Sequence, residues 1–272
     1  MKGNILVRSI SLTVVFLFIA VPVFSAQDAQ PAASKKAKPG LPSCAVVELF
    51  TSEGCSTCPP ADEFLADLVQ KTNNKGPIYA LSFHVDYWDE SGWVDPFSSK
   101  VFTQRQRGYA AVKKSKDIYT PQMFVNGQEG FVGSNKTKAV NNIKMALSKP
   151  AKSAVDFTAS VPKAKGFIKI DYQVSKIGKD QVLFLALVQG GIISKITGGE
   201  NKGKTIRHEN VVVGFKSIVL TKDKSGSAQF HLSPEDDLGK LSVIGYIQDI
   251  NTLNVLGANR LDFSPQSKVV KK

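Results

Sequence analysis

The chain has 272 residues, of which 42% are hydrophobic and 21% charged. That composition excludes disordered and fibrous classes and supplies enough apolar material for two ordinary cores. The formal net charge of +12 is spread along the chain. With no arginine-rich groove interleaved with aromatics, it reads as a solvated surface or a loose attraction to anionic envelope surfaces, and no nucleic-acid partner is expected.

Lys2 and Arg8 precede an apolar run over 10–24, broken by Pro22 and ending in Val23-Phe24-Ser25. The pattern predicts a signal peptide over 1–25, with an uncleaved N-terminal anchor as the alternative. A periplasmic or secreted location is expected, with no transmembrane segment after signal cleavage. Residues 26–43 are rich in Ala, Lys, Gln and Pro and read as a flexible linker.

Residues 45–50 read as a buried strand and 51–54 as a turn. Pro59 and Pro60 fit only the first turn of a helix. Asp62 and Glu63 suit its positive end, and Phe64, Leu65, Leu68 and Val69 form its apolar face. After Gly76-Pro77, residues 78–83 form a second buried strand that ends at His84. A loop with Tyr87, Trp88 and Trp93 comes next. Asp95-Pro96 predicts an N-cap and first helical position for a helix through Phe102, Arg105 and Tyr109. Residues 122–125 and 130–132 predict a hairpin about Asn126-Gly127. Ser134 is the expected cap of a helix whose Val140, Ile143 and Leu147 share a face.

From about residue 152 the texture changes. Apolar or alternating runs over 154–160, 167–174, 182–188, 211–220, 228–232, 241–250 and 255–261 are separated by turn residues and carry no helical pattern. The expected architecture is an α/β domain over 44–150, an all-β sandwich-like domain over 151–264 and a frayed tail over 265–272.

Cys55-Ser56-Thr57-Cys58 stands between the first strand and the first helix. Helix-terminal N–H groups stabilise a thiolate at Cys55, and the thiolate is the species that attacks disulfides. Cys58, one turn on, can resolve the mixed disulfide. Gly54 is expected to permit an unusual backbone angle before the nucleophile. Pro121, after Thr120 and before a strand, is the expected cis proline that exposes a backbone edge to a substrate peptide. Catalytic roles therefore fall to Cys55, Cys58 and Pro121, with Gly54, His84, Asp86, Thr120, Trp88 and Trp93 in support. His84 and Asp86 would tune or relay protons, or merely be solvated. Trp88 and Trp93 would floor a partner site, or merely pack the loop. His208 and His231 read as surface or turn residues. Cys44 is left over as a half-buried inert thiol or one that pairs elsewhere.

Three functions fit these residues. The first is thiol–disulfide exchange through a Cys55–Cys58 disulfide, with protein or small-molecule thiols and disulfides as partners and no cofactor. The second is copper binding by Cys55, Cys58 and His84, two thiolates and an imidazole suiting that metal; the two-residue cysteine spacing counts against it. The third is a non-catalytic interaction protein with a structural disulfide. A zinc site would need two further ligands of matching spacing, and no second such pair exists.

The stretch from Val47 to Asp62 that frames the cysteine pair is similar to the hallmark of a family of secreted bacterial thioredoxin-like proteins, the domain-of-unknown-function 1223 type. So are Ser82-Phe83-His84-Val85-Asp86-Tyr87-Trp88-Asp89, the Gly92-to-Phe97 segment, Tyr119-Thr120-Pro121-Gln122-Met123, Gly199-Glu200-Asn201-Lys202-Gly203 and Leu256-Gly257-Ala258. The resemblance covers about residues 45–262. It implies a thioredoxin-like fold for the first domain and no assigned substrate. Cys44 is outside its pattern.

Overall fold

The computed structural model describes residues 40–72, 75–160 and 166–263. The expected signal peptide, most of the linker and the tail lie outside the described residues. Strand β1 (Ala45–Thr51) is buried at every position, which explains why its sequence is a continuous apolar run and not an alternation. After it come α1 (Pro59–Thr72), β2 (Ile78–His84), α2 (Lys100–Lys113), β3 (Gln122–Val125), β4 (Phe131–Val132) and α3 (Lys136–Leu147). The remainder of the described chain is β5 (Val155–Ser160), β6 (Phe167–Val174), β7 (Gln181–Gln189), β8 (Ile192–Lys195), β9 (Thr205–His208), β10 (Val211–Leu220), β11 (Ser225–His231), β12 (Leu241–Asp249) and β13 (Val255–Asp262), with one short 3-10 turn before β12.

Eight strands form a mixed sheet in the order β13-β12-β7-β10-β2-β1-β3-β4, while β5, β6 and β11 form a second sheet and β8 pairs with β9. β1 and β2 are parallel, with Thr51 opposite His84. β10 runs beside β2, with Val211 opposite Ser82, and the Asn210 side chain donates to Ala80 O at 3.0 Å. The large sheet thus passes without a break from residues before 150 to residues after it. The expected division into an α/β domain and an all-β domain is not displayed by this architecture.

Three apolar layers bury the large sheet. α1 and α3 cover β1 and β3 through Val47, Leu49, Leu65, Met123 and Ile143. The three-stranded sheet covers β7 and β12 on the same side, through Ile168, Ile170, Leu183, Leu185 and Val243. α2 lies on the opposite side, where Phe50, Phe83, Phe102, Tyr109, Ala186 and Ile244 form one cluster. Along β7, Leu183 and Leu185 face one layer while Phe184 and Ala186 face the other, as the two-residue period of a strand requires.

Both expected helix caps move. α2 is capped by Ser99, whose Oγ accepts from Val101 N, while Asp95 caps only the turn before it, accepting from Phe97 N, and also meets His84 and Glu53 N. α3 is capped by Asn135, whose side chain accepts from Lys138 N. The buried residues of α3 are Ala139 and Ile143, whereas Val140 is exposed. The β8–β9 hairpin has no counterpart in the sequence reading.

One charged residue interrupts β1. Glu48 is buried, and Arg105 from α2 meets it with two hydrogen bonds of 2.7 Å each. The guanidinium also donates to Tyr109 Oη at 3.3 Å and to Gln248 Oε1 of β12 at 3.2 Å. Phe184, Phe215 and Tyr246 lie within 4.4, 5.2 and 5.5 Å of its carbon, measured to ring centroids, so cation–π attraction adds to the ion pair. Burial disfavours the guanidinium charge, but Glu48 beside it outweighs that and holds the Arg105 pKa above its ordinary value.

Truncating one partner of such a pair leaves the other charge buried and alone. Arg105→Ala should therefore lower unfolding free energy by about 3–5 kcal/mol in urea titrations. Arg105→Lys should recover little, because an ammonium cannot reproduce the fork. The double replacement Glu48→Leu/Arg105→Met should recover most of the loss. If the double variant is no more stable than Arg105→Ala, the ion pair is not what the site depends on.

Candidate functional site

β1 and β2 are parallel neighbours, so the segments that leave their C-terminal ends meet at one edge of the sheet. One carries Glu53 to Cys58 and the other carries Val85 to Asp95. Cys55 and Cys58 are joined as a disulfide at the start of α1. Cys58 N donates to Cys55 O, and the Cys58 carbonyl receives Ala61 N at 2.8 Å and Asp62 N at 3.2 Å, which begins the helix. Both cysteines are 0% exposed, while Ser56 and Thr57 between them are exposed.

The Thr120–Pro121 peptide is cis. The Thr120 carbonyl oxygen lies 3.8 Å from Cys55 Sγ and accepts from Thr57 Oγ1 at 3.4 Å. Trp88 Nε1 donates to Thr120 Oγ1 at 2.7 Å. Gly54 has no positive φ, which corrects its expected role. A Cβ there would stand 3.2 Å from Trp88 Cβ and 3.3 Å from Trp88 O, so glycine eases the close approach of the tryptophan loop.

Behind this turn lies a group of buried ionisable side chains. His84 Nδ1 is 2.7 Å from Asp95 Oδ2, and Asp95 also accepts from Glu53 N at 2.8 Å and Phe97 N at 2.9 Å. Among the described residues, His84 Nε2 has no hydrogen-bond partner. The His84 ring meets the His208 ring at 4.9 Å between centroids. His208 Nε2 is 3.3 Å from Glu53 Oε1, and His208 Nδ1 is 4.0 Å from Asp62 Oδ1. Trp93 Nε1 donates to Glu53 Oε2 at 2.8 Å. His208 is therefore buried at the site and is not a surface residue; its place at the end of β9 brings it there. His231 is exposed. Asp86 is held by Thr103 of α2, whose hydroxyl donates to its carboxylate.

Burial pushes these carboxyls up, and their partners decide the outcome. For Asp95, the pull of His84 and two backbone donors outweighs burial and lowers the pKa. For Glu53, the neighbouring His208 and Ser194 and the hydrogen bond from Trp93 do the same. Asp62 is different: burial dominates, His208 offsets it only in part, and the carboxyl is pushed up to about 7. The favourable helix N-terminus that its sequence position suggested does not compensate for the loss of water. Among the described residues no three His, Cys, Asp or Glu side chains are grouped so as to hold a metal ion, and His84 turns its Nδ1 to Asp95.

The tip of the β8–β9 hairpin lies against the backbone of the cysteine turn. Asn201, fully buried, donates to Glu53 O and to Cys55 O, each at 2.8 Å. Glu200 Oε2 accepts from Ser56 N at 3.1 Å. Asn201, Glu200 and His208 are the site residues that sequence reasoning missed, although the Gly199-to-Gly203 segment stood out by resemblance. Cys44 sits at the opposite end of β1, buried, and burial pushes its thiol up to about 11.

A family model described as a protein of unknown function, DUF1223, matches residues 46–248. Protein AGR_C_4864 from Agrobacterium tumefaciens is similar in structure, with a TM-score of 0.61, 24% identity, and coverage of 85% of this chain and 99% of that one. HBP35 of Porphyromonas gingivalis is similar with a TM-score of 0.59, 14% identity, and coverage of 86% and 80%. At these identities the likeness is one of fold. No curated protein matches the chain.

Asp62 makes stability depend on pH with a definite sign. An unfolded Asp loses its proton near 4, whereas the folded chain keeps it to about 7. Between those values the native state binds more protons, so stability falls as pH rises. Asp62→Asn should remove that fall. Its advantage over the parent in urea unfolding should grow from pH 4 to pH 7.5, reaching about 2–4 kcal/mol. An advantage that stays constant across the range would show that Asp62 is ionised throughout.

Proposed function

The chain belongs to the DUF1223 family, and we propose that it is an exported thiol–disulfide oxidoreductase acting through Cys55 and Cys58. One observation carries the reading. The cysteine pair forms the turn between a buried strand and a helix, with the Thr120 carbonyl edge 3.8 Å from Cys55 Sγ. We read the order β1-α1-β2-α2-β3-β4-α3, with neighbouring strands β2-β1-β3-β4, as a thioredoxin-like domain. The charged start and apolar run over 1–24 support export.

The exchange balances on the residues present. A substrate thiolate attacks Cys55 Sγ, the Cys55–Cys58 bond breaks, and Cys58 leaves with the electron pair and takes a proton. A second substrate thiolate then attacks the substrate sulfur of the mixed disulfide, and Cys55 leaves as a thiolate stabilised by the helix terminus. The substrate is oxidised to a disulfide and the pair is reduced to two thiols. The reverse sequence oxidises the pair. Partners are thiols and disulfides, protein or small, of the envelope.

A second reading is favoured by the complete burial of both sulfurs: a structural disulfide in an interaction protein. Trapping separates the two. Cys58→Ala keeps the attacker and loses the resolver, so it should accumulate mixed disulfides at least about tenfold above Cys55→Ala on non-reducing gels. Equal yields, or none from either variant, would favour the structural disulfide.

A further inference from the structure

A cysteine pair used for exchange has to be reached, yet this pair is 0% exposed at both residues. Its covering comes from the chain itself. The tip of the β8–β9 hairpin is stiffened by its own hydrogen bonds: Ile196 N donates to Lys204 O at 3.0 Å, Gly203 N to Ile196 O at 2.8 Å, and Lys204 N to Asn201 O at 3.0 Å. Lys204 Nζ donates to Asn201 Oδ1 at 2.8 Å. That orients the Asn201 amide so that its two N–H groups face Glu53 O and Cys55 O.

The tip also needs glycine to come this close. A Cβ at Gly198 would collide with Gly92 O, and one at Gly199, where φ is +64°, would stand 3.0 Å from Trp93 Cβ. Backbone groups around Cys55 that would otherwise face a partner are occupied: Cys55 O by Asn201 and Ser56 N by Glu200. The base of the hairpin is fixed separately, through buried Ile206 beside α1 and through His208 against Glu53. A firm base, a stiff tip and a few polar contacts at the front describe a flap that can lift at the tip.

We infer that the β8–β9 hairpin is a cap over the redox turn, and that Asn201 is the residue that sets how large a thiol can reach Cys55. With the cap down, a small reductant can enter past the exposed Ser56 and Thr57 edge, whereas a protein dithiol docked along the Thr120–Pro121 edge also needs the room beside Cys55 and Ser56 that Asn201 and Glu200 occupy. The inference gives a substrate limit to the exchange reading and rests on it for its purpose. The cap itself is measurable on the disulfide whether or not the protein exchanges thiols in its own setting.

The test compares reduction of the Cys55–Cys58 bond in the full chain by tris(2-carboxyethyl)phosphine and by a reduced protein dithiol such as thioredoxin. The phosphine is oxidised to its oxide with oxygen from water, and the protein dithiol to its own disulfide. Asn201→Ala should speed the protein reaction about tenfold, the factor two lost hydrogen bonds amount to, and the phosphine reaction by less than about threefold. Glu200→Ala, on an exposed residue that does not threaten folding, should move the same ratio in the same direction by about threefold. An unchanged ratio of the two rates in both variants overturns the inference, as does an equal acceleration of both reductants. Failure of the trapping experiment with success here would leave the cap standing over a structural disulfide. The opposite pair of results would leave the enzyme standing without a cap.

Discussion

A carboxylate in the middle of a fully buried strand needs a partner that travels with it, and Arg105 supplies that partner to Glu48. The fork fixes α2 across β1, and the aromatic rings around the guanidinium belong to β7, β10 and β12 as well as to α2 and β2. Gln248 of β12 touches both Arg105 and Tyr109. One charged group therefore joins β1 to β7, β10 and β12, strands from the second half of the chain. A buried pair of this kind adds little net stability over an apolar replacement, but it penalises any arrangement in which the partners are apart. That is a constraint on register and on which strands share the sheet, and the continuous large sheet satisfies it.

The same sheet puts the chemistry where it is. Thr51 and His84 are paired neighbours at the ends of parallel strands, so the two segments leaving them must converge. The turn after β1 brings Glu53 and the cysteines; the loop after β2 brings Trp88, Trp93 and Asp95. β9 adds His208 from the far part of the chain. The result is a line of ionisable groups, Asp95, His84, His208, Glu53 and Asp62, in a region from which water is excluded. Polar groups held out of water next to a cysteine pair are costly to fold around, and shifted carboxyls such as those of Asp95, Glu53 and Asp62 concentrate at functional sites.

The elements around the cysteine turn are legible in the sequence for physical reasons. β1 and β2 are long enough and apolar enough to read as buried strands, and paired prolines fit only a helix start. Asp95 misleads because aspartate before proline is also the signature of a helix N-cap; here it caps a single turn through Phe97 N and holds His84 with its other oxygen, while the helix starts at Lys100. Gly54 misleads because glycine has two uses, and here the needed one is space for Trp88, not a left-handed backbone. β8 and β9 escape notice because four residues each are too few for alternation to rise above chance. With β9 unseen, nothing local can place His208 beside Glu53, a residue more than one hundred and fifty positions earlier.

Cys44 and Cys55 bracket β1, and that arrangement decides which sulfurs can ever meet. A seven-residue strand holds its ends about 20 Å apart, far beyond the span of about 7 Å that a disulfide can bridge. Three cysteines allow three pairings on paper, and the rigid strand between them forbids two. The raised Cys44 thiol closes the remaining route, since at neutral pH only about one molecule in ten thousand carries it as the attacking thiolate. The spare sulfur is thus kept out of any pairing with Cys55 or Cys58 in the folded chain, insulated by distance and by protonation alike.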